Sequence, residues 1–174
     1  MIMLKPAGLS ICFVFAMLTS NGQDIAELER RNGFKDIKLG MHIDSLNAEI
    51  KLRKEILEQD QYPAKILSVT SPGLLSIGEV SVNKIEVRTY KDRIYQIEVL
   101  TEKDARLMKA LESVYGKSAY DMKNQTYFWR GNTLILKFRS YSRNQLELLF
   151  TSYLILDEMK ADKEKKVEEI ADDF

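Results

Sequence analysis

Apolar residues recur along this chain with two different rhythms. Ile43, Leu46, Ile50 and Leu57 follow one another at steps of 3, 4 and 7, with Lys51, Arg53, Lys54 and Glu58 mainly on the other side. That spacing predicts a helix from Ile43 to near Gln59, ended by Tyr62-Pro63. Beyond it the period shortens to two. The stretch "AKILSVT" reads as a strand and Ser71-Pro72-Gly73 as a turn. In "GEVSVNKIEVRTY" two alternating runs, Val80/Val82 and Ile85/Val87, change phase at Asn83-Lys84, which predicts a bulge. Lys91-Asp92 is the expected hairpin tip, and "RIYQIEVLT" returns with Tyr95, Ile97 and Val99 on one face.

The second half runs in the same order. Thr101 and Asp104 form a variant capping box, Leu107, Leu111 and Val114 a helical stripe, and Gly116 a left-handed C-cap. Next come the strand "TYFWR", a Gly131-Asn132 tip, "TLILKFR", the polar loop "SYSRN" and "QLELLFTSYLI". A shift of 61 residues lays Leu39, Leu46 and Ile50 on Leu100, Leu107 and Leu111, and Ile85 and Val87 on Leu146 and Leu148. The expected fold is therefore α+β: two tandem repeats, each a helix plus a three-stranded antiparallel sheet. Repeat 1 spans about 33–100 and repeat 2 about 101–156, followed by a charged helix over about 157–172. Asp24 to Arg31 reads as a short polar helical turn or linker.

Ile37-Lys38-Leu39-Gly40-Met41, followed by Leu46, resembles the "LGM" motif of the BamE-like family, the outer-membrane assembly lipoproteins also called small protein A (SmpA/OmlA). That family is grouped with β-lactamase-inhibitor-protein-like (BLIP-like) domains. The resemblance implies an α-helical unit paired with antiparallel strands in an envelope protein. Tyr115-Gly116-Lys117 and Trp129 before a glycine turn resemble features of related envelope proteins. The family usually has Ser or Thr after the methionine, where it caps the helix; here His42 stands there, a weaker cap. Physically, Gly40 permits a sharp turn while Met41 plugs a gap, so the motif reads as a packing device.

Composition narrows the partners. The 174 residues are 45 % hydrophobic and 30 % charged with a formal net charge of zero, which argues against a nucleic-acid or polybasic membrane-surface binder. Lys5, an apolar run from about Leu9 to Leu18, then Ser20 and Gly22 fit a secretory signal peptide over 1–22, cut before Gln23. The run is too short to span a bilayer, which takes about 20 residues. Cys12 follows Ile11 inside that run, the wrong context for lipid attachment, so the mature chain is expected to carry no cysteine and no membrane anchor. The expected location is the periplasm or the medium, with residues 23–174 as a single domain.

Little chemistry is visible. His42 is the single histidine, and no H-E-x-x-H, G-x-S-x-G or phosphate-cradling loop occurs. "ADKEKKVEEIADDF" interleaves acids with lysines and reads as a solvated helix face, not as a calcium loop. No catalytic residue, cofactor or metal is expected. Instead, Tyr127 and Trp129 share one face of a strand, Phe128 takes the other, and Arg130, Lys137 and Arg139 lie nearby. An outer face with this composition would suit another envelope or secreted protein. Trp129 could equally pack the sheet onto the Leu107/Leu111 helix. The alternative function is a small-ligand carrier with an apolar pocket lined by Tyr95, Ile97 and Leu136.

Overall fold

The structure, a computed structural model, describes residues 22–56, 63–172 and 174. Residues 1–21, which hold nearly all of the expected signal peptide, lie outside the described residues.

The chain begins with α1 (Ile25–Arg31), whose first turn is capped by Asp24, the carboxylate accepting from the Glu27 amide at 2.9 Å. A two-stranded hairpin follows, β1 (Gly33–Phe34) and β2 (Ile37–Lys38). A Cβ at Gly33 would meet the Ile37 carbonyl oxygen at 2.3 Å, and its φ is +141°, so only glycine fits. Next are β3 (Glu49–Ile56), β4 (Ala64–Thr70), the short β5 (Ser76–Ile77), β6 (Val80–Tyr90) and β7 (Arg93–Glu102). Helix α2 (Arg106–Tyr115) leads to β8 (Ala119–Asp121), β9 (Thr126–Arg130), β10 (Leu134–Ser142) and β11 (Gln145–Ser152), and α3 (Tyr153–Ala171) closes the chain.

These elements do not form two helix-plus-three-strand repeats. They form one nine-stranded antiparallel sheet, the separate β1–β2 pair and three helices. The order β3-β4-β6-β7-β11-β10-β9-β8 joins two meanders through the β7–β11 pair, with β5 beside β6. The 61-residue overlay fails because it equates β6, one strand from the seam, with β11, which lies at it.

The expected helix over 43–59 is the second correction. Ile43–Ser45 is a single 3-10 turn, and Glu49–Ile56 is the edge strand β3. Ile50 and Leu52 alternate with Glu49, Lys51 and Arg53, a short period-2 pattern that the coincident helical steps concealed, and Ile56 falls on the opposite face after the register shift at Arg53. The expected helix end near Gln59 lies outside the described residues. The C-terminal helix starts at Tyr153, earlier than expected, because the Ser152 hydroxyl accepts from the Ile155 amide and caps it.

Other expectations hold in part. The β6–β7 register shifts between Val82 and Lys84, and Lys91 and Asp92 both have positive φ, as a two-residue primed hairpin turn requires. Gly116 has φ +74° but an extended ψ, so it turns the chain without the left-handed cap. The Asp104 carboxylate, not Thr101, accepts from the first-turn amide of Arg106; Thr101 is buried within β7.

One sheet face carries the main core. Val87, Ile97, Val99, Leu136, Leu148, Phe150 and Trp129 pack there beneath Leu28 of α1, Leu107 and Tyr115 of α2, and Phe34, Ile37 and Leu39. The Leu39-Gly40-Met41 segment finishes this assembly. β11 leaves β7 after the Thr151–Gln96 pair, and residues 40–43 take its place: Gly40 donates to the Ile94 carbonyl at 2.7 Å, and the Ile94 amide donates to Met41 at 2.9 Å. Gly40 has φ +83° with open space around it, so backbone conformation alone selects glycine. The packing role holds, though it serves a strand and not a helix.

Candidate functional site

The opposite face of the sheet is built from polar rungs. Following the strand registers, one rung runs Arg139–Glu147–Leu100–Lys84, crossing β10, β11, β7 and β6. The next runs Phe128–Lys137–Leu149–Glu98–Glu86–Ser68–Lys51 and reaches β3. A third runs Arg130–Ile135–Thr151–Gln96–Arg88–Ile66–Lys54. Cations thus stand on β9–β10, on β6 (Lys84 and Arg88) and on β3, with Glu147, Glu98 and Glu86 among them.

Local electrostatics explain how this face is held. Glu86 and Glu98 sit directly opposite each other, which is unfavourable for like charges. Lys84 resolves the conflict, its ammonium lying 3.0 Å from Glu86 and 3.2 Å from Glu98. Its own pKa is raised: burial opposes the rise, and the hydrogen bonds to Glu86 and Glu98 outweigh it. Glu147 is buried and accepts a hydrogen bond from the Arg139 guanidinium beside it. That bond raises the Arg139 pKa.

The five residues singled out from the sequence divide between the two faces. Arg130, Lys137 and Arg139 are exposed on the polar face, with half-buried Phe128 beside them; the Arg130 guanidinium lies 5.8 Å from the Phe128 ring centre. Trp129 is 1 % exposed on the core face, its indole N–H donating to the Gly116 carbonyl at 2.8 Å and its ring 6.1 Å from Tyr115. Tyr127 shares the core face but lies beyond the covering helices, exposed and stacked on Tyr120 with ring centres 4.7 Å apart. Parity along β9 and β10 already opposes these two groups: Trp129 pairs with Leu136 and Phe128 with Lys137.

No protein-family model, curated protein or solved structure matches this chain. The BamE-like and BLIP-like resemblance therefore rests on the sequence motifs alone.

A second cluster lies outside the candidate surface drawn from the sequence. α3 packs Ile155 and Met159 against Ala64, Tyr90 and Tyr95. Arg93 and Lys91 pair with Glu158, and Lys91 with Asp162 at 2.6 Å, while the Tyr90 hydroxyl donates to Asp162 at 2.7 Å. The Arg93 bond chiefly lowers the Glu158 pKa, and the Lys91 bond that of Asp162. Burial, then the Asp162 bond, pushes Tyr90 up to about 12. Beside α3 lies an open cleft of about 510 Å³ lined by Tyr90, Thr89 and Ala64, with Lys65 paired to Asp92 across its rim. Tyr95, Ile97 and Leu136 line no common pocket. Ile97 and Leu136 are fully buried in the main core, and Tyr95 sits at a register shift that turns it toward α3. Among the described residues no group of three or more His, Cys, Asp or Glu is placed to hold a metal.

Proposed function

We propose that this chain is an exported, non-catalytic protein-binding module, an envelope accessory or inhibitor-like protein, that docks through the polar face of its sheet. The observation that carries this reading is the grouping of exposed Arg130, Lys137 and Arg139 around half-buried Phe128 on rigid neighbouring strands. An arginine beside an aromatic ring on a fixed scaffold is the composition of interface hot spots. Directly paired strands hold those side chains in place before contact, which lowers the ordering cost of association. Three cations at one end of the face favour a partner surface that is acidic there. Trp129 has no direct part in this surface.

The test is parallel capture from envelope and medium fractions with residues 23–174 and with an Arg130→Glu/Lys137→Glu copy of equal thermal stability. A partner retained by the native chain and lost by the variant supports docking on this face. Equal retention by both overturns it.

A further inference from the structure

The two outer edges of the sheet are finished differently. At one edge β8 is only three residues long, and the Asp121 side chain folds the following turn back by accepting from the Lys123 and Asn124 amides at 3.0 and 3.2 Å. Where β8 stops, Gln23 takes over along β9: its amide donates to the Phe128 carbonyl at 3.0 Å, and its side-chain oxygen accepts from the Arg130 amide at 3.0 Å. That edge is closed to further pairing in the two ways sheets commonly use, shortness and cover.

Among the described residues the other edge is open. β3 runs eight residues, roughly 26 Å of extended backbone. Its backbone pairs with β4 on one side, and among the described residues no backbone hydrogen bond reaches Glu49–Ile56 from the other. Lys51, Leu52, Arg53, Lys54 and Glu55 are all exposed. The cations Lys51, Arg53 and Lys54 form no ion pair among the described residues. Lys51 and Lys54 point to the polar face, while Leu52, 54 % exposed, points to the core face at its margin.

We propose that β3 is a strand-pairing edge for an extended acidic segment of a partner protein. Such a segment would hydrogen-bond along β3, set carboxylates against Lys51 and Lys54 on one face, and lay an apolar residue against Leu52 on the other. Main-chain bonds supply the affinity and alternate side chains the selectivity in this mode. Charge decides the occupant. A second copy pairing antiparallel about the strand centre would set Lys51 against Arg53 or Lys54, and like charges directly opposite are destabilising. The cations that repel a copy are those that would attract carboxylates. This inference rests on the protein-binding reading but uses another surface, so either can fail alone.

The test titrates residues 23–174 with a capped decapeptide of alternating glutamate and valine, following amide hydrogen exchange and peptide anisotropy. Three controls run beside it: the same peptide N-methylated at every second amide, a lysine–valine counterpart, and a Lys51→Glu/Lys54→Glu protein. The expected result is slowed exchange confined to Glu49–Ile56 and its neighbour β4, with binding that weakens as salt rises. The N-methylated and basic peptides should not bind, and the double substitution should weaken binding about tenfold or more. No binding, protection elsewhere, or equal binding of the N-methylated peptide would each overturn the proposal. The N-methylated control needs no altered protein, so loss of binding cannot come from misfolding.

Discussion

Replacing Trp129 by alanine separates a core residue from a surface hot spot. The side chain is 1 % exposed, and a buried tryptophan removes about 150–250 Å² from water. At about 25 cal/mol/Å² that is about 4–6 kcal/mol, of which alanine keeps a small part. Truncation also leaves the Gly116 carbonyl without the indole donor, which carries its own cost of about 1–3 kcal/mol. Large-to-alanine changes in cores fall at about 3–5 kcal/mol after partial collapse, and that range is the expectation here. With a urea dependence of about 2 kcal/mol/M, the midpoint should fall by about 1.5–2.5 M. Far-UV circular dichroism is the assay, because Trp129 is the single tryptophan and the variant has no indole signal. Trp129→Phe keeps the ring packing but loses the donor, and should cost about 1–3 kcal/mol. An unchanged midpoint for Trp129→Ala, with native emission like that of free tryptophan, would refute the core placement.

Further expectations concern the clamp, the turn and the charge ladder. Glu158 and Asp162 are held below their ordinary pKa, so their contribution to α3 docking is present above the ordinary carboxylate range and lost as pH falls through their depressed values. Tyr90, pushed up to about 12, contributes below its ordinary pKa of 10.0 and ceases to as pH rises through about 12. Amide exchange in α3 should accelerate at both extremes; rates that ignore pH after correction for intrinsic exchange would contradict the clamp. Gly40→Ala should cost about 1–3 kcal/mol for its positive φ, and Gly33→Ala more because a Cβ there meets the Ile37 carbonyl; urea midpoints give the order. Lys84→Met should destabilise by about 1 kcal/mol and Glu98→Gln should restore part of it, a coupling that a double-mutant cycle measures directly.

The strands were legible where both neighbours are present and one side is buried. β4, β6 and β7 show clear alternation, and Lys91-Asp92 and Asn83-Lys84 mark their turn and bulge in the residues themselves. β3 was not legible. As an edge strand it buries almost nothing, so burial did not impose alternation strongly enough to exclude the helical steps of Ile43, Leu46 and Ile50. The sheet order was hidden for another reason: β7 meets β11 across the whole α2 segment, a pairing set by shared core packing and by no local signal. In the candidate site, the cations Arg130, Lys137 and Arg139 were visible, but whether Trp129 lies beside them or packs inward was left open. Hairpin parity separates Trp129 from Lys137, and Trp129 is covered by Tyr115 of α2 together with α1, the latter nearly a hundred residues away in sequence. Gln23 closing the β9 edge has no sequence signal at all, since a glutamine side chain standing in for a strand is set only by the tertiary fold.

Docking on the polar sheet face is tested most directly by site-specific photo-crosslinking in cells that produce the protein. A photoreactive residue would replace Lys137 on that face or, as the reference position, exposed Lys109 on α2 over the opposite face. Docking on the polar face predicts a discrete crosslinked species from position 137 and none from 109. Crosslinking from 109 with none from 137 would contradict it.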